Sequence, residues 1–208
     1  MEAEKKITLA VNGGIGFGAK LSPKQLLTLA KLVEEDTEIE LTTFQQLYIQ
    51  IAESKVEQVK MELEAEGFSC YPVGAYVKSL RTCNFCKGAE EEGMPVAIEL
   101  NRRIAGHPVP FTLAPAYTGC QNACGEPLVH DIGVIKRKDR YELYIGGKAK
   151  GEDARTAVLF QDQLTPDELY ANVEQLLQIY QQNGKKRERF FKFIQRYGME
   201  RLKLEMGL

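Results

Sequence analysis

Two close cysteine pairs constrain this chain more than any other feature. They read Cys83-x2-Cys86 and Cys120-x3-Cys124, and a fifth cysteine, Cys70, stands apart. The first residues, Met1-Glu2-Ala3-Glu4-Lys5-Lys6, have mixed charge and no apolar leader core. No apolar run reaches the length of a membrane span. These features point to a cytoplasmic, reducing setting, where an odd number of cysteines argues against a disulfide framework. Four thiolates brought together there form a soft, anionic donor set that a metal or cluster must neutralise. Zinc takes four thiolates in a closed structural site. A cubane takes one thiolate per iron. The spacing leaves both open. Cys70 reads as a small buried apolar residue.

The surroundings of the second pair lean toward iron and sulfur. Thr118-Gly119-Cys120-Gln121-Asn122-Ala123-Cys124-Gly125-Glu126-Pro127 supplies small residues and backbone amides, and cluster sulfurs accept hydrogen bonds from such amides. The formal net charge of −2 gives no global basic field, so nucleic acid is not an expected partner. A hydrophobic fraction of 44% is enough for a buried core.

Patterning predicts the order β-α-β-β-α-β in the first third. Lys6–Val11, Ile39–Thr43 and Leu47–Ile51 read as strands, and Cys70–Val73 as a short closing one. Ser22-Pro23 opens one helix, and Ser54 with Glu57 forms a capping box for the second, which Gly67 stops. That order is the ferredoxin-like pattern. Further on, Val96–Leu100 continuing into Asn101-Arg102-Arg103 reads as a short helix, and Asp131–Ile135 pairs with Tyr141–Ile145 around a solvated turn at 136–140. Thr165-Pro166-Asp167-Glu168 opens a long helix, and Phe190, Phe191, Phe193 and Ile194 mark another. Gly13–Gly18 reads as a plain glycine-rich loop, and His130 as a turn or strand-edge histidine.

Several of these segments, in order, resemble the siroheme-dependent nitrite and sulfite reductases. Gly119-Cys120-x3-Cys124-Gly125, followed by Asp131-Ile132-Gly133, is similar to that family's second cysteine motif. Tyr144-Ile145-Gly146-Gly147-Lys148 resembles a downstream Y-V-G-G-K stretch, and Leu41-Thr42-Thr43-Phe44-Gln45 an L-T-x-R-Q strand. The resemblance implies an α+β fold: a ferredoxin-like half, residues 1–75, packed on a nitrite/sulfite reductase 4Fe-4S and siroheme domain, residues 76–208. It implies a 4Fe-4S cluster on Cys83, Cys86, Cys120 and Cys124, with Cys124 bridging to siroheme iron. Thr42, Gln45, Asn122 and Lys148 would contact the cofactor, and Lys78 and Arg81 would serve the reduction of a small oxyanion, sulfite or nitrite, by six electrons. The cofactor would carry the difficult chemistry. No flavin or nicotinamide domain is visible, so a separate electron-donor protein is implied. Larger members carry two copies of this unit about a pseudo-twofold axis, which raises a homodimer as one arrangement of a single copy.

The sequence departs from the family pattern at three places. The first cysteine pair is C-x2-C rather than C-x5-C. Phe44 stands where L-T-x-R-Q has arginine, and Glu40 where another arginine is usual. Thr112 and Ala114 align with a K-x-K pair. Those basic groups would hold siroheme carboxylates and the oxyanion. Three readings follow: an oxyanion reductase, a cluster-bearing relative that carries electrons without siroheme or with a different tetrapyrrole, and a structural zinc protein.

Overall fold

A computed structural model describes residues 4–15, 20–34, 36–83 and 86–208, without the side chains of 87–92. By its internal contacts the chain divides into two units, Met1–Val73 and Gly74–Leu208.

In the first unit, β1 (Lys6–Asn12), α1 (Pro23–Leu32), β2 (Glu40–Leu41), β3 (Leu47–Ala52), α2 (Val56–Ala65) and β4 (Ser69–Pro72) follow the expected order. The antiparallel sheet runs β2-β3-β1-β4, the ferredoxin-like arrangement. Alternation puts Leu9 and Val11 of β1 and Ile49 and Ile51 of β3 on one face. Leu29 and Val33 from the α1 side and Val59 and Leu63 from α2 close over it, with Phe68. Cys70 packs against this core, and burial pushes its thiol up to about 11. α1 starts as expected: Ser22 accepts from Gln25 N–H, Gln25 reciprocates, and Pro23 stands at the first helical position.

Two expectations fail here. The second strand is only Glu40–Leu41, because Thr42 turns the chain: its carbonyl accepts from Gln45 N–H at 3.0 Å and its hydroxyl from Gln46 N–H at 3.2 Å. Ser54 caps nothing; a 3-10 turn, Glu53–Lys55, precedes α2, and the Ser54 hydroxyl bonds Glu4 instead. Of the Gly13–Gly18 loop, Gly16, Phe17 and Gly18 lie outside the described residues.

The second unit contains β5 (Arg81–Thr82), α3 (Lys87–Ile104), β6 (Pro115–Thr118), β7 (Ile132–Arg137), β8 (Arg140–Ile145), β9 (Val158–Leu164), α4 (Pro166–Asn183), α5 (Phe190–Tyr197) and α6 (Met199–Glu205). Its sheet runs β5-β6-β7-β8-β9, parallel from β5 to β7 and antiparallel from β7 to β9. α4 begins with the expected capping box, Thr165 with Glu168 after Pro166 at the first position. Its buried stripe of Leu169, Val173, Leu176 and Tyr180 meets α3 and the β8–β9 end of the sheet. Tyr180, Phe190, Phe193 and Tyr197 form a packed aromatic row, with neighbouring ring centroids about 5 Å apart.

The expected short helix at 96–103 is instead the second half of an 18-residue helix. Pro95 and Gly93 lower the helical signal of its first half, and packing overrides them. The expected turn at 136–140 narrows to Lys138-Asp139, with Lys138 left-handed at φ 57°; Lys136 and Arg137 belong to β7 and Arg140 to β8.

Candidate metal centre

Parallel pairing brings the two cysteine pairs to one place. Arg81 lies beside Ala116, and Thr82 beside Tyr117. Because β5 and β6 run the same way, the residues that follow them, Cys83 and Gly119-Cys120, leave the sheet at the same end. Loops at the carboxyl ends of parallel strands are where such sheets build their sites. Cys86 then takes the N-cap of α3 with extended backbone and makes no side-chain cap. The amino end of a long helix therefore begins at this site, and its dipole favours negative charge there.

Glycines let the loops close on each other. A Cβ on Gly125, the residue after Cys124, would stand 2.4 Å from the Tyr117 carbonyl oxygen and 3.3 Å from the Cys83 nitrogen. Only a residue without Cβ lets this loop lie against both. Gly93 plays the same part in α3, where a Cβ would come 3.0 Å from the Gly119 Cα.

The second cysteine loop is held from behind. Ala123 and Glu126 are left-handed, at φ 55° and 58°. Glu126 N–H donates to the Ala123 carbonyl at 2.9 Å. The Glu126 carboxylate pairs with Arg81 at 2.9 Å, tying this loop to the strand that leads into Cys83. His130 is buried, and its Nδ1 lies 2.7 Å from the Glu126 carbonyl oxygen. Burial lowers the imidazole's pKa, favouring the neutral ring, and a carbonyl can only accept, so Nδ1 carries the proton. His130 thus helps to fix the backbone of this loop.

Asp131 has a similar task. Its carboxylate accepts from Ala114 N–H at 2.8 Å, and its backbone joins the start of β6 to β8 through Ala114 and Gly146. Burial pushes this carboxyl up to about 7 against the opposing effect of that hydrogen bond.

The four cysteines differ in exposure. Cys83 is buried, Cys120 half-buried, and Cys86 and Cys124 exposed; none is in a disulfide. The Cys124 Sγ lies 4.0 Å from the carbonyl oxygen of Asn122, whose side chain is exposed. Asn84 and Phe85, inside the first pair, lie outside the described residues. Among the described residues, no three His, Cys, Asp or Glu side chains gather as they would around one ion. The donor set nevertheless suits an anionic cluster. It offers four thiols at one sheet end beside a helix amino terminus. The buried Thr118 hydroxyl, two residues before Cys120, lacks a hydrogen-bond partner among the described residues. A cluster sulfur is an acceptor for such a donor.

The other expected site residues stand as follows. Thr42 and Gln45 border a largely apolar pocket of about 220 Å³ in the first unit, with Val11, Leu21, Leu41 and Leu47. Lys78 is half-buried, and its backbone N–H bonds Leu113. Arg81 is engaged by Glu126. Lys148 reaches Asp153 at 3.4 Å and sits 5.5 Å above the Phe191 ring. Arg102 and Arg103 bind Glu99 near the far end of α3, about 24 Å along the axis from Cys86 at 1.5 Å per residue. Thr112 donates its hydroxyl to the Gly74 carbonyl. Of the expected cations, Arg81 and Lys148 are thus paired with carboxylates. Sequence reasoning missed Thr118 and Glu126, and only their adjacency to the cysteine motif could have flagged them.

The family model of the nitrite and sulphite reductase 4Fe-4S domain matches residues 76–208. The chain is 32% identical over 193 residues to the cobalt-factor III methyltransferase of Priestia megaterium, covering 93% of this chain and 35% of that protein. It is 24% identical over 128 residues to the assimilatory-type sulfite reductase of Nitratidesulfovibrio vulgaris, covering 62% and 58%. The chain thus spans less than two thirds of either relative. Among solved structures, dissimilatory sulfite reductase I superposes with a TM-score of 0.71 at 11% identity, over 97% of this chain and 69% of that one. Mycobacterium tuberculosis NirA gives 0.69 at 17%, over 96% and 40%. At such identities the likeness is one of fold. The match over residues 76–208, with this fold and these cysteine loops, settles the affiliation: the chain belongs to the nitrite and sulphite reductase 4Fe-4S domain family.

Proposed function

We propose that this chain is a cluster-bearing, electron-carrying member of the family rather than an oxyanion reductase. Cys83, Cys86, Cys120 and Cys124 would hold a 4Fe-4S cluster. The observation that carries the reading is the exit of both cysteine pairs from adjacent parallel strands, with Gly125 against the Cys83 backbone. A bound cluster would supply one-electron transfer. The chain's own residues do the rest. The α3 amino terminus offsets thiolate charge. Arg81, Glu126 and His130 fix the second loop. The Thr118 hydroxyl is the nearby buried donor.

The absence of catalysis is supported by Phe44, Thr112 and Ala114 in place of basic residues and by the pairing of Arg81 and Lys148 with carboxylates. Losing one oxyanion-stabilising donor costs roughly a hundredfold in rate. The Priestia relative, which matches nearly the whole chain, is named a methyltransferase. By that likeness, this unit would deliver electrons to chemistry performed elsewhere, in a reducing cytoplasmic setting and with a separate electron donor. No helix among the described residues is long and apolar enough to cross a membrane.

The test is anaerobic purification, with iron, zinc and acid-labile sulfide counted beside an absorption spectrum and a sulfite and nitrite turnover assay. The expected result is iron and sulfide near four each per chain, with no turnover. A siroheme spectrum with turnover would restore the reductase reading, in which Lys78 and Arg81 act on substrate. Zinc without sulfide would replace both with a structural zinc site.

A further inference from the structure

The ends of β5 and β6 hold a buried hydroxyl beside a cysteine assigned to the cluster. Arg81 lies beside Ala116 and Thr82 beside Tyr117, so the next residues along the two strands, Cys83 and Thr118, come out side by side. The Cys83 nitrogen and the Tyr117 carbonyl carbon each lie 3.3 Å from the point where a Cβ on Gly125 would stand, which fixes that closeness independently. Thr118 is wholly buried and Cys83 is 6% exposed. Among the described residues the Thr118 hydroxyl has no hydrogen-bond partner. An unmatched buried hydroxyl is destabilising, and a valine of the same shape would avoid that cost. The buried threonine on the neighbouring strand is placed differently. Its hydroxyl, on Thr82, reaches the Met94 thioether at 3.9 Å on the opposite face of the sheet. A donor kept at Thr118 without a protein acceptor points to an acceptor that arrives with a ligand.

We propose that Thr118 tunes the reduction potential of the cluster, through a hydrogen bond from its hydroxyl to sulfur at the Cys83 corner, the thiolate or the sulfide beside it. The inference rests on the cluster reading above and deepens it by naming the side chain that sets the electron affinity of the site. Reduction adds one negative charge, and sulfur carries much of it. A donor aimed at sulfur therefore favours the reduced form, and it does so more strongly where burial excludes water. The α3 amino terminus acts in the same direction beside Cys86, but through backbone groups that no side-chain change removes. Thr118 is the contribution that a single substitution controls. Its hydroxyl keeps its proton throughout. One electron enters from an external reductant, which is oxidised by one electron, and no bond forms or breaks.

The test compares the parent protein with Thr118→Val, which removes the hydroxyl and keeps the shape, and Thr118→Ser, which keeps the hydroxyl. All three are purified without oxygen, and iron and acid-labile sulfide are counted in each. Dithionite titration against redox dyes, followed by absorbance and by electron paramagnetic resonance of the reduced form, gives the potential. Thr118→Val should shift the balance between reduced and oxidised forms about tenfold toward the oxidised one, a potential lower by about 59 mV for one electron, with iron and sulfide near the parent values. Thr118→Ser should return the potential close to that of the parent. Resonance Raman spectra in light and heavy water give a second readout. The deuterium-sensitive shift of the iron–sulfur stretching bands should be smaller in Thr118→Val than in the other two. If the valine variant does not hold iron and sulfide, Thr118→Ala removes the hydroxyl without crowding and takes its place. A loaded variant without the hydroxyl that keeps the parent potential overturns the role of Thr118 alone. A potential lowered equally in Thr118→Ser and Thr118→Val also overturns it, in favour of packing by the methyl group. A parent without iron and sulfide overturns the cluster reading and this inference together.

Discussion

The two units use similar local devices for different ends. Each has a helix opened by a capping box with proline at the first position, Ser22 with Gln25 in one and Thr165 with Glu168 in the other. Each has antiparallel strand pairs. The ferredoxin-like unit is antiparallel throughout, and its order comes from apolar side chains sorted onto one sheet face. The second unit adds parallel neighbours, β5 to β7. Parallel strands send successive loops out of the same end, so residues far apart in sequence meet there. The cavities differ accordingly. In the first unit the pocket beside Thr42 is mostly apolar, whereas the groove beside Cys120 is lined by charge. An alternating antiparallel sheet stabilises a fold; parallel ends collect chemistry.

The largest effect should come from the contact that holds the two cysteine loops together. Gly125→Ala sets a methyl group 2.4 Å from a backbone oxygen, which cannot rotate away as a side chain can. We expect a loss of about 3 kcal/mol, at the upper end of overpacking costs, together with reduced iron and sulfide per chain. Urea melts and metal counts check this. Unchanged stability would mean that the loop end is not fixed by this contact, and would blur the contrast with the first unit.

A smaller effect, confined to a pH window, is expected at Asp131. Its carboxyl is raised from 3.8 to about 7 in the folded chain. Below pH 4 the group is protonated both folded and unfolded, and its contribution is fully present. As pH rises from about 4 to 7 the unfolded chain ionises first, so stability falls and levels off above 7. The loss is on the order of a few kcal/mol. Asp131→Asn keeps an acceptor for Ala114 N–H and cannot ionise, so its stability should vary less across this window. Parallel pH profiles for parent and variant, measured by urea melts at fixed ionic strength, would show that Asp131 is not held neutral.

The smallest effect tests what the units share. Ser22→Ala and Thr165→Ala should each cost about 1 kcal/mol, the usual value of an N-cap. Hydrogen exchange in the first turns of α1 and α4 should show local fraying in each case. Iron and sulfide content should remain that of the parent in both. A loss of cluster from Ser22→Ala would break the distinction between a stabilising unit and a chemical one.

Much of this was legible in the residues themselves. Both helix starts with an adjoining proline were readable, because caps are local and their partners lie three residues away. The β7–β8 pairing was readable for the same reason: its strands are close in sequence and alternate. The Ser54 box failed although its letters were right, since Glu4, distant in sequence, took its hydroxyl. β6 and β9 went unread. Pro115–Thr118 is buried at every position and so carries no alternation, and Val158–Leu164 is interrupted by polar residues.

At the site, the sequence by itself determined the donor set, the glycines beside it, and a resemblance specific enough to suggest a family. Cysteine chemistry and ordered motifs are properties of the residues. Only the tertiary structure decided which of those residues meet. Parallel pairing set Cys83 beside the Cys124 loop, Glu126 took the charge of Arg81, and a hairpin that reads as a solvated turn came to share a groove with Cys120. The physical reason is that caps and antiparallel hairpins are closed by neighbours in the chain, whereas parallel strands are paired by burial of a distant core.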